Sequence, residues 1–170
     1  DADYSTASYP LTRQGSPVPL IFNFLGQEVN LEVQSCVNNK GIPVLQVYPA
    51  KNASDFIKAA FERMYVYGGK GQPSQLQFSA LLAKAQWTYI RNVEYEQFKK
   101  QGKNWKPAII NTNDAQTLMA SVYRLIDYND AVKSNNLEYA AFLKKFMFSG
   151  TTHTYKNRGF FAELDDYGRD

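Results

Sequence analysis

The sequence has almost none of the residues from which metal, disulfide or nucleophilic sites are usually built. Cys36 is its one cysteine and His153 is its one histidine. A single cysteine excludes a disulfide within the chain. The spacings CxxC and HExxH, which mark common metal sites, are absent. The sequence therefore predicts no metal site and no cofactor.

Cys36 is predicted to be a small buried hydrophobe on a strand, the usual place of a free cysteine. An intermolecular disulfide and a reactive thiol are the alternatives. A small hydrolase with a site formed by Cys36 and His153 is a further hypothesis, because such partners meet in space rather than in sequence. No neighbouring residue supports that pair, so catalysis ranks below binding.

Long apolar runs are also missing. No stretch approaches 18 apolar residues, and the sequence therefore predicts no membrane span. The beginning lacks the basic start and apolar segment of a signal peptide. Because the first residue is Asp1 and not methionine, we expect a processed chain or a fragment. Periplasmic, organellar and virion-associated locations all remain open.

The chain also lacks a large excess of charge of either sign: it has 19 basic and 16 acidic residues, and its net charge is +3. That excess does not by itself indicate a nucleic-acid-binding protein. The glycine-rich stretch 68–71 lacks the Ser or Thr that completes a phosphate-binding P-loop, so it is predicted to be a connector. The carboxylate pairs Glu94/Glu96 and Asp165/Asp166 are predicted to be surface residues rather than acid–base pairs.

What the sequence does contain is a period-two pattern near its beginning. Apolar and polar residues alternate over 29–37, with Val29, Leu31 and Val33 inward and Gln34 outward, as in an antiparallel strand with one wet face. Strands are also predicted around 20–25 and 42–47. The turns between them are assigned to Gly26-Gln27 and to the Asn- and Gly-rich stretch 38–41.

From residue 52 onward the apolar period becomes helical. Four helices are predicted, and each begins near a capping residue. These residues are Asn52 or Ser54, then Ser74, Asn113 and Asn135. The third helix carries Leu118, Val122, Leu125 and Ile126 along one side, and the fourth continues through Phe146 to a C-cap at Gly150. The second is either the central packing element or is broken near Arg91.

These patterns predict an α+β protein with a small antiparallel β meander of about three strands followed by about four amphipathic helices. Residues 1–17 are predicted to form an extended arm or strand lead-in, 18–150 a single domain, and 151–170 a polar aromatic tail. The aromatic residues of the arm and tail are candidate protein-interface residues: Tyr4, Tyr9, Phe160 and Phe161.

Two groups of basic residues interleaved with aromatics are candidate nucleic-acid contacts, since cations hold phosphates and aromatic rings stack on bases. The first group is Lys99, Lys100, Lys103, Trp105 and Lys106. The second is Lys144, Lys145, Tyr155, Lys156 and Arg158. The alternative is that lysines near helix C-termini only complement the helix dipole.

The leading hypothesis is thus a non-enzymatic structural or adaptor subunit, which acts through contacts with protein partners or as a homo-oligomer. Binding of single-stranded nucleic acid is the alternative, and the small hydrolase ranks third.

Overall fold

The computed structural model describes residues 10–62, 75–107, 109–113 and 115–151. Within these ranges the chain forms five strands and four α-helices, in an order that confirms the predicted α+β class with a three-stranded meander followed by helices. The elements are β1 (Thr12–Phe24), β2 (Gln27–Val37), β3 (Pro43–Pro49), α1 (Asp55–Glu62), α2 (Gln75–Gln101), β4 (Ile109–Asn113), α3 (Ala115–Lys133), α4 (Leu137–Lys144) and β5 (Met147–Thr151).

The chain divides into two compact units, Asp1–Phe61 and Glu62–Asp170. The first unit holds the antiparallel sheet β1-β2-β3 with β2 at its centre. Strand β1 begins at Thr12, so the second part of the predicted arm is strand. None of the helices in the described ranges is long and apolar enough to cross a membrane.

The hairpin between β1 and β2 turns at Leu25-Gly26, because Phe24 pairs directly with Gln27. The predicted turn at Gly26-Gln27 was therefore wrong by one residue. Leu25 and Gly26 both have positive φ, 49° and 75°, which a two-residue turn of type I′ requires. The predicted turn at 38–41 is confirmed, and the side-chain oxygen of Asn38 accepts hydrogen bonds from the N–H groups of Lys40 and Ile42 at 2.9 Å.

The predicted alternation of β2 holds only as far as Val33. Val29, Leu31 and Val33 are buried as expected, but Gln34, predicted to face solvent, is 2% exposed. A bulge in β1 between Gln14 and Val18 breaks the register opposite this point. The Gln34 amide nitrogen donates hydrogen bonds to the backbone oxygens of Gln14 (3.1 Å) and Gly15 (3.2 Å), so its buried amide is paired.

In the second unit α2 runs unbroken for 27 residues and is followed by a short 3₁₀ helix, Gly102–Asn104. Strands β4 and β5 were not predicted, and they pair in parallel. Asn113, predicted to cap the third helix, is the last residue of β4. Gly150, predicted to end the fourth helix, lies within β5 and pairs with Thr112.

The fourth helix begins one residue later than predicted and ends earlier. Its N-cap is Asn136, whose side-chain oxygen accepts a hydrogen bond from the Tyr139 N–H, whereas Asn135 has a positive φ of 58°. The helix ends at Lys144. Phe146, predicted to belong to this helix, lies just before β5 and is buried.

Aromatic rings form a large part of the core of the second unit. Phe142 is fully buried, and five ring centroids lie between 5.0 and 5.7 Å from its own. Trp87 contacts Phe146, and Phe148 contacts Trp87. We call Phe142, its five neighbouring rings and these two further rings the aromatic cluster. Its members are Trp87, Tyr95, Phe98, Trp105, Tyr139, Phe142, Phe146 and Phe148.

Candidate functional site

The described residues offer no assembled catalytic constellation. No group of three or more His, Cys, Asp or Glu side chains among them is placed to hold a metal ion. Cys36 is a free thiol, 2% exposed, and its sulfur lies 3.5 Å from the Gln46 side-chain oxygen. His153 lies outside the described residues, so the hypothetical Cys36–His153 pair is not placed.

The carboxylates of Glu94 and Glu96 do not converge, as expected from their spacing. Glu94 accepts a hydrogen bond from the Trp105 indole N–H at 3.0 Å. Glu96 forms an ion pair with Lys99, and the hydrogen bond between them raises the pKa of the Lys99 ammonium above its usual range. Each carboxylate therefore has a structural partner of its own. Asp165, Asp166 and the stretch 68–71 lie outside the described residues.

The two lysine groups predicted from the sequence meet at the aromatic cluster. Lys145, just after α4, has its ammonium nitrogen 5.5 Å from the Phe98 ring centroid and 5.8 Å from that of Trp105. Lys99, near the end of α2, lies 5.1 Å from the Tyr95 centroid. Cations over aromatic faces are attracted by the ring quadrupole. The structure thus joins basic groups that are far apart in sequence.

The rings beneath these lysines differ in their accessibility. Trp105 is 4% exposed and its N–H is already bonded to Glu94, which leaves it unavailable for stacking on a base. Tyr95, Phe98 and Tyr139 are partly buried against the same core, and burial raises the pKa of the Tyr139 hydroxyl. The remaining candidates in the described ranges are exposed lysines: Lys100, Lys103, Lys106 and Lys144.

Several predicted site residues are not placed. They lie in 1–9 and 152–170, outside the described residues. They are Tyr4, Tyr9, Tyr155, Lys156, Arg158, Phe160 and Phe161.

One apolar stripe of helix α3 is exposed, against the usual expectation that such a stripe faces the core. Val122 is 43% exposed, Leu125 49%, Ile126 48% and Val132 45%. Asn129 is exposed between them. We call these five residues the outward face of α3. Sequence reasoning placed Val122, Leu125 and Ile126 on one stripe but did not foresee its exposure, and it did not include Asn129 or Val132.

The opposite side of α3 explains this orientation. Ala120 and Ala131 are buried there and belong to the core of the second unit. Asp127 accepts a hydrogen bond from the Trp87 indole N–H at 2.8 Å and another from Arg91 at 2.7 Å. Small side chains allow close packing and the carboxylate satisfies a buried donor. These contacts fix the rotation of α3 and leave the four apolar side chains of the outward face exposed.

The exposed stripe differs from scattered surface hydrophobics. Single exposed apolar residues are normal, but contiguous apolar patches are typical of interaction surfaces. Residues three and four apart are neighbours on a helix, so Val122, Leu125, Ile126, Asn129 and Val132 form one continuous band. This band is the candidate interaction site that the structure adds to those predicted from sequence.

Comparison with known proteins gives no match at the level of family models, curated proteins or solved structures.

Proposed function

We propose that this protein is a non-enzymatic subunit that binds protein through the outward face of α3. The observation that carries the proposal is the orientation of that helix: Ala120 and Ala131 face the core, while four larger apolar side chains are exposed, namely Val122, Leu125, Ile126 and Val132. Exposed apolar area is favourable to bury, and a band of this kind gains stability when another surface covers it.

The rotation of α3 is not easily changed, which makes exposure a lasting property of this face. Turning the stripe inward would withdraw Asp127 from the indole N–H of Trp87 and from Arg91. Trp87 is 1% exposed, so water could not replace the lost acceptor. A partner surface can cover the stripe without disturbing either contact.

A photo-crosslinking amino acid at position 129 tests the proposal. At position 129 the crosslinking residue lies within the outward face. Position 137 on α4 is the control, because Leu137 is also apolar and is 64% exposed. In extract of the cells that make the protein, we expect protein crosslinks from position 129 and few from position 137. The readout is the mass shift of the crosslinked species on a denaturing gel, followed by peptide identification.

The matched variant is Ile126→Asp, which places a charge in the band. Burying an unpaired charge costs at least the free energy that corresponds to a tenfold change in affinity. Crosslinking from position 129 should therefore fall about tenfold or more. Leu137→Asp serves as control and should leave it unchanged. Equal crosslinking from both positions, or crosslinks that persist with Ile126→Asp, would contradict the proposal.

The meeting of the two lysine groups favours one second candidate, binding of single-stranded nucleic acid. The supporting observation is the position of Lys99 and Lys145 above the partly buried rings of Tyr95 and Phe98. Such an arrangement combines phosphate-neutralising cations with aromatic surface. Against it, Lys99 is paired with Glu96 and Trp105 is buried.

This candidate predicts salt-dependent binding of a labelled oligonucleotide, measured by fluorescence anisotropy. Changing Lys99, Lys100 and Lys103 together to Glu should weaken binding and reduce the slope of log affinity against log salt by about 2. The triple change of Lys40, Lys51 and Lys58 to Glu alters net charge equally but lies in the first unit. Equal losses in both triple variants, or no binding at low salt, would exclude the candidate.

A further inference from the structure

The outward face of α3 has the residue spacing of a two-stranded coiled coil. Val122, Leu125, Asn129 and Val132 follow one another at intervals of three, four and three residues. In a heptad abcdefg these intervals place Val122 and Asn129 at a, and Leu125 and Val132 at d. Leu118 occupies the preceding d position of the same helix in sequence.

We propose that the partner of this face is a second copy of the same chain, with the two α3 helices side by side and parallel about a two-fold axis. The proposal rests on the proposed function and names its partner. A β-branched residue at a with leucine at d favours two parallel strands, and one polar Asn at an a position specifies register and partner number. Val122, Leu125 and Asn129 supply these three features.

The charges beside the band also fit a second copy. The five residues of the outward face carry no charge, so two such faces meet without repulsion, and a two-fold interface requires this self-complementarity. Tyr128 lies at g and Lys133 at the following e position. In a parallel pair these two positions face each other across the interface, so Lys133 faces an uncharged residue rather than another lysine.

Asn129 selects the parallel arrangement over the antiparallel one. It lies two residues from the midpoint of the band, toward the C-terminal end, so an antiparallel pair centred on the band would set its amide against Leu125 of the second copy. An unpaired amide against an apolar surface is unfavourable. In the parallel pair Asn129 faces its own counterpart, and the two amides can bond to each other.

Within the described residues, the core contacts of α3 lie on the side away from the a and d positions. Ala120, Asp127 and Ala131 lie at positions f, f and c, on the side of α3 opposite the a and d residues. That side packs within the chain's own second unit. The 19 residues of α3 span about 28 Å, which is short for a coiled coil. We therefore expect a dimer that dissociates on dilution.

Sedimentation velocity of the purified chain over roughly two decades of concentration tests the association itself. We expect a monomer–dimer equilibrium. Ile126→Asp should raise the dissociation constant about tenfold or more, while Leu137→Asp should leave it unchanged. A strict monomer at every concentration would overturn the inference, as would a dimer that Ile126→Asp does not weaken.

Engineered cysteines test the geometry, because the one natural thiol, Cys36, is buried and can be replaced by alanine. In the Cys36→Ala background, Asn129→Cys should form a disulfide-linked dimer under mild oxidation, since disulfides need Cα atoms within about 7 Å. Leu137→Cys is the matched control and should form no disulfide-linked dimer. Disulfides formed only when the Asn129→Cys and Leu125→Cys chains are mixed would indicate antiparallel helices and overturn the parallel arrangement.

A third variant tests the role of the amide. Asn129→Val should lower the dissociation constant about tenfold or more and permit species larger than a dimer, because the polar a residue limits stability in exchange for specificity. An unchanged dissociation constant and stoichiometry would count against pairing at this position. If the chain is monomeric yet position 129 crosslinks to another protein, this inference fails while the proposed function stands.

Discussion

Replacing Phe142 with alanine should lower the free energy of unfolding of the second unit by about 3–5 kcal/mol. Phe142 is 0% exposed and its ring contacts five others of the aromatic cluster. Removing it deletes both its own burial and the edge-to-face and tilted contacts of its neighbours. The loss is of the order of a small domain's whole stability.

Chemical denaturation followed by tryptophan fluorescence measures this loss. Both tryptophans of the chain, Trp87 and Trp105, belong to the second unit, so the signal reports on that unit. Phe142→Leu is the control, because it keeps more of the volume and should cost clearly less. A loss below about 1 kcal/mol for Phe142→Ala would mean that the site collapses around the cavity.

Replacing Asp127 with alanine should cost about 2–3 kcal/mol in the same measurement. The change leaves the Trp87 indole N–H buried without an acceptor and removes the carboxylate that pairs with Arg91 at 2.7 Å. Because these contacts also set the rotation of α3, the variant should loosen the outward face. Its dimerisation or partner binding should weaken even though no residue of that face has changed.

Asp127→Asn separates the two contributions. The amide oxygen can still accept the hydrogen bond from Trp87, whereas the ion pair with Arg91 is lost. Because both side chains of that pair are about a quarter exposed, we expect a cost of about 1 kcal/mol or less. If Asp127→Asn were as destabilising as Asp127→Ala, the charge and not the satisfied indole would be the important part of the contact.

The β meander could be predicted because its signals are local. Alternation over 29–33 and the Asn and Gly residues of the second turn depend only on neighbouring residues. The burial of Gln34 could not be predicted in the same way. It depends on a bulge in β1, which lies on another strand and supplies the backbone oxygens that its amide reaches.

The parallel pair of β4 and β5 was missed for a related reason. Each strand has five residues, and its partner lies on the far side of two helices in the sequence. Ile109, Ile110 and Thr112 are β-branched and favour a strand, a signal that was present but short. Phe146 fitted the apolar spacing of the fourth helix, and that spacing extended the predicted helix past its true end.

Helix α3 was predicted correctly as a helix, but its orientation was not. Periodicity identifies an apolar stripe and does not say what covers it. Here the deciding contact joins Asp127 to Trp87, which belongs to α2. The lysine groups are a similar case. Their residue types were visible in sequence, while their meeting at the aromatic cluster required the packing of α4 beside the end of α2.

The edges of the first sheet bear on how far association can proceed. Strands β1 and β3 are its two edges, and each contains two prolines: Pro17 and Pro19, and Pro43 and Pro49. Proline offers no N–H to an added strand, which discourages edge-to-edge stacking. A helix pair with two-fold symmetry buries the same face of both copies, so association through it ends at a dimer. An open strand edge can instead add further copies indefinitely. The prolines of β1 and β3 therefore make open-ended stacking at the edges of this sheet unfavourable.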